Sequence, residues 1–221
     1  MDRHKYRLCF SKDGAMRFIG HLDLLRLFQR AIKRSGLPVK YSAGFNPHQL
    51  ISFAMPLPIG HSSAAEYADI EFLQPPDDIT IPLSAQLPEG LKINSVRPLI
   101  PGERPAPAMT AAAMYEIEFP HHVNLDKSVG EVMSAKRIVA ERKTKSGAGM
   151  VDIRPDIITL HSNGSTLYAM LKSGSARNLK PELLAKHICG NIDFNPFAIR
   201  YRRIEIYKET AGFGYEPLKN P

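Results

Sequence analysis

The chain has 221 residues, of which 43% are hydrophobic and 23% charged, so it contains enough apolar material for one or two globular domains. Its net charge of +7 favours a polyanionic partner such as nucleic acid, although such an excess can also serve solubility alone. Its two cysteines, Cys9 and Cys189, exclude a disulfide framework, and no run approaches the roughly 18 consecutive apolar residues of a membrane span. Because the N-terminus also lacks the apolar core of a signal peptide, we expect a cytoplasmic protein without a membrane partner.

The first half of the chain predicts strands around one clear helix. Alternating apolar residues predict a strand at 5–10, and helical spacing predicts a helix at 21–35, which Gly36 and Pro38 terminate. Extended segments follow at 39–43 and 49–55, and strands at 66–73 and 92–97. Residues 75–88 are rich in proline, so a second helix is nearly missing there.

The second half predicts a similar order of elements. We expect strands at 115–119, 137–142, 151–160, 166–172 and 198–207, with helices at 124–136 and 182–188. Asn163-Gly164 predicts a hairpin turn, and Pro181 suits the first turn of a helix. Both halves therefore predict an approximate β-α-β-β-α-β order. The expected fold class is α+β, with two tandem ferredoxin-like domains of antiparallel sheet at 1–99 and 113–221, joined by a linker rich in proline and alanine at 100–112.

The helix at 21–35 separates apolar from basic side chains. At about 100° per residue, one arc is apolar, with Leu24, Leu25, Leu27, Phe28, Ala31 and Ile32. The other side carries Arg26, Arg30, Lys33 and Arg34. Like charges at this spacing repel one another, so contact with a polyanion would explain the grouping. A solvated helix face is the alternative.

If the polyanion is RNA, further candidate contacts lie mainly on loops. Gly44 and Asn46-Pro47 favour a turn between two extended segments, and a polar loop held by strands is suited to binding. The candidates there are Ser42, Gly44, Phe45, Asn46 and His48. In the second half they are Lys143, Lys145 and Arg154, and basic clusters of this kind can follow a phosphate backbone.

Catalytic signals are weak. His48 and His21 are the two candidates for a general acid or base. No Cys/His cluster has the spacing of a metal site, and no phosphate-binding fingerprint or hydrolase motif occurs, so neither a metal nor a cofactor is expected.

Five stretches of sequence point to a known family. They are Phe-Ile-Gly-His-Leu-Asp-Leu-Leu-Arg at 18–26, Arg-Ala-Ile-Lys-Arg-Ser-Gly-Leu-Pro at 30–38, residues 41–48 and 51–60, and Val-Asp-Ile-Arg-Pro at 151–155. Together they resemble the radical-SAM-linked protein family, a domain of unknown function fused to, or encoded beside, a radical SAM enzyme. The resemblance implies a radical SAM partner. This chain has no CxxxCxxC motif for an iron–sulfur cluster, so the catalytic half would lie on the other polypeptide.

The leading hypothesis is an RNA-binding accessory protein that presents structured RNA, tRNA or rRNA, to a radical SAM enzyme for modification. One alternative is a metal-independent ribonuclease or RNA-modifying enzyme that uses a histidine. A weaker resemblance to CRISPR repeat-processing endonucleases, in the tandem domains, an early histidine and a glycine-rich stretch at 211–215, suggests it. The other alternative is a protein–protein adaptor without an RNA role.

Overall fold

The structure is a computed structural model that describes residues 4–120, 125–144, 147–190, 198–212 and 214–220. The chain divides into two compact units, one of Met1–Thr110 with Glu205–Pro221, and one of Ala111–Ile204. The class is mixed α+β, with mostly antiparallel sheet and few helices in the described ranges, as the sequence predicts.

The strands and helices alternate irregularly along the chain. The described strands are β1 (His4–Lys12), β2 (Ile51–Phe53), β3 (Ser62–Phe72), β4 (Leu91–Pro98), β5 (Thr110–Glu118), β6 (Val139–Thr144), β7 (Gly147–Asp152), β8 (Ile157–Asn163), β9 (Thr166–Lys172), β10 (Arg200–Glu209) and β11 (Tyr215–Pro217). The described α-helices are α1 (His21–Ser35), α2 (Thr80–Ser84), α3 (Ala106–Met109), α4 (Leu125–Ser134) and α5 (Pro181–Cys189).

The first unit is built on β1, which lies between β4 and β3 and is antiparallel to both. The short β2 pairs with β3, and β11 pairs with β10. Alternation along β1 turns Leu8 and Phe10 toward α1, where the ring centroids of Phe10 and Phe28 are 4.9 Å apart. This contact forms the apolar core that holds α1 on the sheet.

The second unit contains the three-stranded order β5-β9-β8, in which each neighbouring pair is antiparallel. The predicted hairpin at Asn163-Gly164 is confirmed, since Asn163 pairs with Thr166 and Gly164 has a φ of 59°. In contrast, β6 and β7 pair with each other as a separate two-stranded sheet. Because that hairpin stands apart from the larger sheet, the structure does not confirm two tandem ferredoxin-like domains.

One predicted strand, residues 151–160, is wrong. The chain forms a 3-10 turn at Arg154–Asp156 that separates β7 from β8. Pro155 supplies the fixed φ of this turn, and the Asp152 carboxylate accepts the Arg154 amide at 3.1 Å. Asp152, Arg154 and Asp156 therefore do not alternate along one strand face.

The predicted linker contains regular structure. Residues 100–112 include α3 and the first part of β5, and Ala106 is fully buried. The boundaries of the compact units also differ from 1–99 and 113–221, because the last residues of the chain belong with the first unit. The division into two ferredoxin-like domains at the linker stays a prediction.

Candidate nucleic-acid interface

Helix α1 has the bounds that the sequence predicts. Gly36 ends it in the left-handed conformation, with a φ of 73° that favours glycine. The buried positions are Leu24, Phe28, Ala31 and Ile32. The cations Arg26, Arg30, Lys33 and Arg34 are exposed. Packing of the apolar arc on the sheet therefore turns the basic arc outward.

Three of the four cations line one surface concavity. Arg26, Arg30 and Arg34 lie along a depression of about 680 Å³, whose other wall is the segment 85–88 that precedes β4. Lys33 is exposed on α1 but does not line the depression. The three arginines follow one another at one-turn intervals, so they lie in a row along one side of the helix.

The arginines differ in what holds them. Arg34 donates from Nε to the Gln86 side-chain oxygen at 3.1 Å and from a terminal nitrogen to the Gln86 carbonyl at 2.8 Å. Arg26 forms an exposed ion pair with Asp23 at 3.0 Å. Arg30 has no hydrogen bond or ion pair within the described ranges. A guanidinium without a protein partner, placed between two restrained ones, is free to bind an anion.

The loop after α1 is closed by its own hydrogen bonds. Hydrogen bonds join Ser42 and His48. The Ser42 amide donates to the His48 carbonyl at 2.8 Å, and the Ser42 hydroxyl and His48 Nδ1 lie 2.8 Å apart. Gly44 has a φ of 115°, which permits the tight return of the chain. At the tip Phe45 is fully exposed, at 106%, and Asn46 is exposed as well.

Gln49 attaches this loop to α1. Its side-chain amide donates to the Gln29 carbonyl of the helix at 3.1 Å and to the Tyr41 hydroxyl at 3.3 Å. Gln49 itself is buried, at 5% exposed. The loop therefore extends from the helix flank that carries Gln29, next to the basic arc, and the structure brings the two predicted groups of the first unit onto adjacent surface.

The two histidine candidates have different surroundings. His48 is exposed and hydrogen-bonds Ser42, while the half-buried His21 packs edge-on against Phe53 with ring centroids 5.6 Å apart. Neither histidine contacts a carboxylate in the described part of the chain. The described residues also hold no group of three or more metal-ligating side chains.

In the second unit Arg154 binds the protein's own backbone. Its guanidinium donates to the carbonyls of Ala135 at 3.2 Å, Ile157 at 3.1 Å and Met133 at 3.2 Å. It thus satisfies carbonyls at the C-terminal end of α4, which helices otherwise leave unpaired. Lys143 lies on β6, and Lys145 lies outside the described residues. Their contact with RNA stays a prediction.

Asp152 is the acidic partner of the same turn. Its carboxylate accepts the amides of Ile138 at 3.0 Å and Arg154 at 3.1 Å. These hydrogen bonds, that from Ile138 first, hold the pKa of the Asp152 carboxyl below its usual value. The Val-Asp-Ile-Arg-Pro segment at 151–155 therefore builds a charged turn.

Sequence reasoning missed a buried ion cluster in the first unit. Arg7 is 1% exposed and makes two bonds to the Asp69 carboxylate, at 2.8 and 3.0 Å, and one to Glu103 at 2.9 Å. Glu103 also accepts two bonds from Arg97, at 2.6 and 2.9 Å, and this pairing lowers the pKa of Glu103. The cluster fastens the predicted linker to the sheet. The sequence contained one signal for this cluster, an arginine in the interior of β1. An arginine at such a position more often faces solvent, so the signal did not indicate burial.

A second buried group lies nearby in the same unit. The Tyr67 hydroxyl donates to the Glu205 carboxylate at 2.6 Å. Burial raises the pKa of Glu205, and burial also raises the pKa of Cys9, which lies beside them. Cys9 and Cys189 are both buried free thiols.

The described helices include none that is long and apolar enough to cross a bilayer.

A search of curated proteins finds no match to the chain. Residues 5–181 match a family described as an uncharacterized protein conserved in bacteria (DUF2344). That description names no radical SAM enzyme. The match covers most of the sequence, including α1, the loop at 41–48 and the turn at 151–155, and the chain belongs to the DUF2344 family.

Proposed function

We propose that this protein binds structured RNA, tRNA or rRNA, along the exposed basic side of α1 and the adjoining loop at 41–48. The observation that carries the proposal is the placement of Arg26, Arg30 and Arg34 along one concavity, with Arg30 free of protein partners in the described ranges. Phosphate contacts of this kind supply affinity and orientation.

The loop adds a chemically different contact. Phe45 is presented at the tip of a loop that Ser42, His48 and Gln49 hold closed, so little conformational entropy is lost when a base stacks on the ring. Stacking on an aromatic side chain requires an unpaired base. The combination favours an RNA with a helical segment beside a loop or bulge.

A matched pair of variants tests the proposal. Arg30→Ala removes one charge inside the concavity. Lys92→Ala removes one charge from an exposed residue of β4, whose neighbours Leu91 and Ile93 point toward α1, so Lys92 projects from the opposite sheet face.

Binding of unfractionated tRNA is measured by filter retention at several salt concentrations. We expect Arg30→Ala to weaken binding about tenfold, as loss of a charged hydrogen bond does. The plot of log affinity against log salt concentration should also become less steep by about 0.7–0.9. Equal effects of Arg30→Ala and Lys92→Ala would refute a dedicated α1 interface and leave only nonspecific attraction to a basic protein.

We further propose that the protein acts as an accessory to a radical SAM enzyme, and that at least the first unit is ferredoxin-like. Support for the partner comes from the resemblance of the five sequence stretches. Support for the fold comes from the order β4-β1-β3 with β2 beside β3. Co-expression with a radical SAM enzyme of the same genome, followed by nuclease treatment and size-exclusion chromatography, tests the partnership. Co-elution that survives nuclease supports it, and separate elution before and after nuclease contradicts it.

The alternatives give different results in the same preparations. A histidine-dependent ribonuclease would cleave labelled RNA in the presence of a chelator and lose that activity in His48→Ala or His21→Ala. An adaptor without an RNA role would bind its protein partner and show no retention of tRNA.

A further inference from the structure

The second unit contains a cavity of about 650 Å³ whose lining includes none of the predicted RNA contacts on α1. Three elements form it: the β6–β7 hairpin, the segment 174–180 between β9 and α5, and the exposed side of α5. Its apolar lining includes Ile153, Leu179 and Leu183, of which the first two are buried. The volume is within the usual range for sites that take small ligands.

A carboxylate with one oxygen open to a ligand lies in this cavity. Asp156 is 8% exposed, and its Oδ1 forms an ion pair with Arg177 Nε at 2.5 Å. The other oxygen, Oδ2, has no partner in the described part of the chain. Burial of a carboxylate is unfavourable unless hydrogen bonds satisfy both oxygens. The cavity therefore offers an acceptor to an N–H group of a ligand.

Donors lie beside that acceptor. Arg177 is half exposed, and within the described residues its terminal nitrogens have no partner. The neighbouring backbone is open too, because the Ser173 and Leu179 amides are bonded while residues 174–178 form no backbone hydrogen bond in the described ranges. An acceptor next to planar donors complements the edge of a nucleobase, which presents donors and acceptors side by side.

Charged side chains of both signs line the cavity. Arg142, Lys180 and Lys186 are exposed and basic, and Lys186 follows Glu182 by one helical turn on the same side of α5. The lining also holds four carboxylates, those of Glu141, Asp152, Asp156 and Glu182. A simple anion would be repelled by these carboxylates, and an apolar ligand would leave Asp156 Oδ2 without a partner. A ligand with an N–H edge, apolar faces and one phosphate satisfies the whole lining.

We propose that this cavity binds one nucleotide, with the base over Ile153 and Leu179, its edge on the Asp156–Arg177 pair, and its phosphate toward Lys180 and Lys186. The nucleotide is either a free mononucleotide or an unpaired residue of an RNA strand. The inference does not depend on RNA binding by α1, because the two surfaces share no residue.

The experiment uses the full chain and isothermal titration with AMP, GMP, CMP and UMP, with the four matching nucleosides and ribose 5-phosphate as partial ligands. We expect saturable binding of at least one nucleotide below about 1 mM, and weaker binding of its two fragments. Absence of binding by all four nucleotides up to that concentration overturns the proposal. Ribose 5-phosphate binding as tightly as AMP overturns it as well, because a phosphate site alone would then suffice.

Variants separate the base from the phosphate. Lys186→Ala should weaken binding of the nucleotide about tenfold and leave binding of its nucleoside unchanged, whereas Asp156→Asn should weaken binding of both. Arg202→Ala, on the exposed side of β10 and outside the cavity, is the matched control and should bind normally. If Asp156→Asn unfolds, the exposed Lys186 still decides, since equal affinities for Lys186→Ala and Arg202→Ala would contradict the placement of the phosphate.

Two further arms identify the source of the ligand. Displacement of the bound nucleotide by a single-stranded oligonucleotide indicates an RNA residue, and failure of displacement indicates a free nucleotide. Arg30→Ala should leave nucleotide affinity unchanged even where it weakens tRNA retention. Failure of one proposal is therefore visible without failure of the other.

Discussion

Replacing Arg7 by methionine should destabilise the protein more than any exposed charge substitution does. Arg7 is 1% exposed and bonds both Asp69 and Glu103, so Arg7→Met leaves two buried carboxylates with one partner fewer each. Removing one partner of a buried ion pair typically costs about 3–5 kcal/mol of unfolding free energy.

The geometry places this variant near the lower end of that range. Asp69 keeps the Ala106 amide at 2.7 Å, and Glu103 keeps two bonds from Arg97 at 2.6 and 2.9 Å. Methionine also retains apolar contact with the strand. We therefore expect a loss of about 3 kcal/mol, a large share of the roughly 5–15 kcal/mol that stabilises most domains.

Urea unfolding at pH 7 measures this loss, with Arg26→Met as the matched control. Arg26 pairs with Asp23 through side chains that are 63% and 64% exposed, so the same substitution there should cost no more than about 0.5 kcal/mol. A change below about 1 kcal/mol for Arg7→Met, at unchanged dependence on urea, would refute the view that this cluster holds residues 103–106 on the sheet.

Two further predictions concern the first unit. Burial raises the pKa of the Glu205 carboxyl, so ionisation of this group is less favourable in the folded protein than in the unfolded chain. The free energy of unfolding of the wild type therefore falls as the pH rises from about 4, where the carboxyl of the unfolded chain titrates, through the raised pKa of the folded protein. Glu205→Gln should therefore unfold at a higher urea concentration than wild type at pH 8 and at the same concentration at pH 3.5; a variant less stable than wild type at pH 8 contradicts the prediction. Gly44→Ala should lower stability by about 1–2 kcal/mol, because alanine is strained at a φ of 115° although no atom obstructs its Cβ; an unchanged melting temperature by calorimetry would show that the loop relaxes.

Local patterns were sufficient for elements whose ends are fixed by nearby residues. The bounds of α1 follow from apolar spacing and from Gly36, and β9 begins and ends where alternation and the Asn163-Gly164 turn place it. The cationic arc of α1 follows from the same spacing, because burying one arc of a helix exposes the other. These parts of the candidate site required no knowledge of distant contacts.

The ion cluster depends on residues that are distant in sequence. Alternation along β1 places Arg7 on the sheet face opposite Leu8 and Phe10, where a charged residue usually meets solvent, yet Arg7 is 1% exposed and Cys9 on the same face is 6% exposed. The residues that cover them include Ala106, which lies about a hundred positions away, and Leu218 near the end of the chain. When one face of a strand carries an arginine, local periodicity does not distinguish a strand buried on both faces from a strand with one solvent-facing side. Proline-rich composition at 100–112 predicted a linker for the same reason, since composition does not show what an element packs against.

The same limit explains why equal residue types on this chain have different roles. Arg7 and Arg154 each use their guanidinium nitrogens on the protein's own oxygens, so fewer of their N–H groups remain for an RNA phosphate. Arg30 is exposed and has no partner in the described ranges. The net charge of +7 therefore overstates how much of the basic character is available to a ligand, and the internal partners of each arginine decide where that character lies. By this criterion the basic side of α1 is a stronger candidate for RNA contact than the turn at Arg154, even though sequence reasoning gave both the same role.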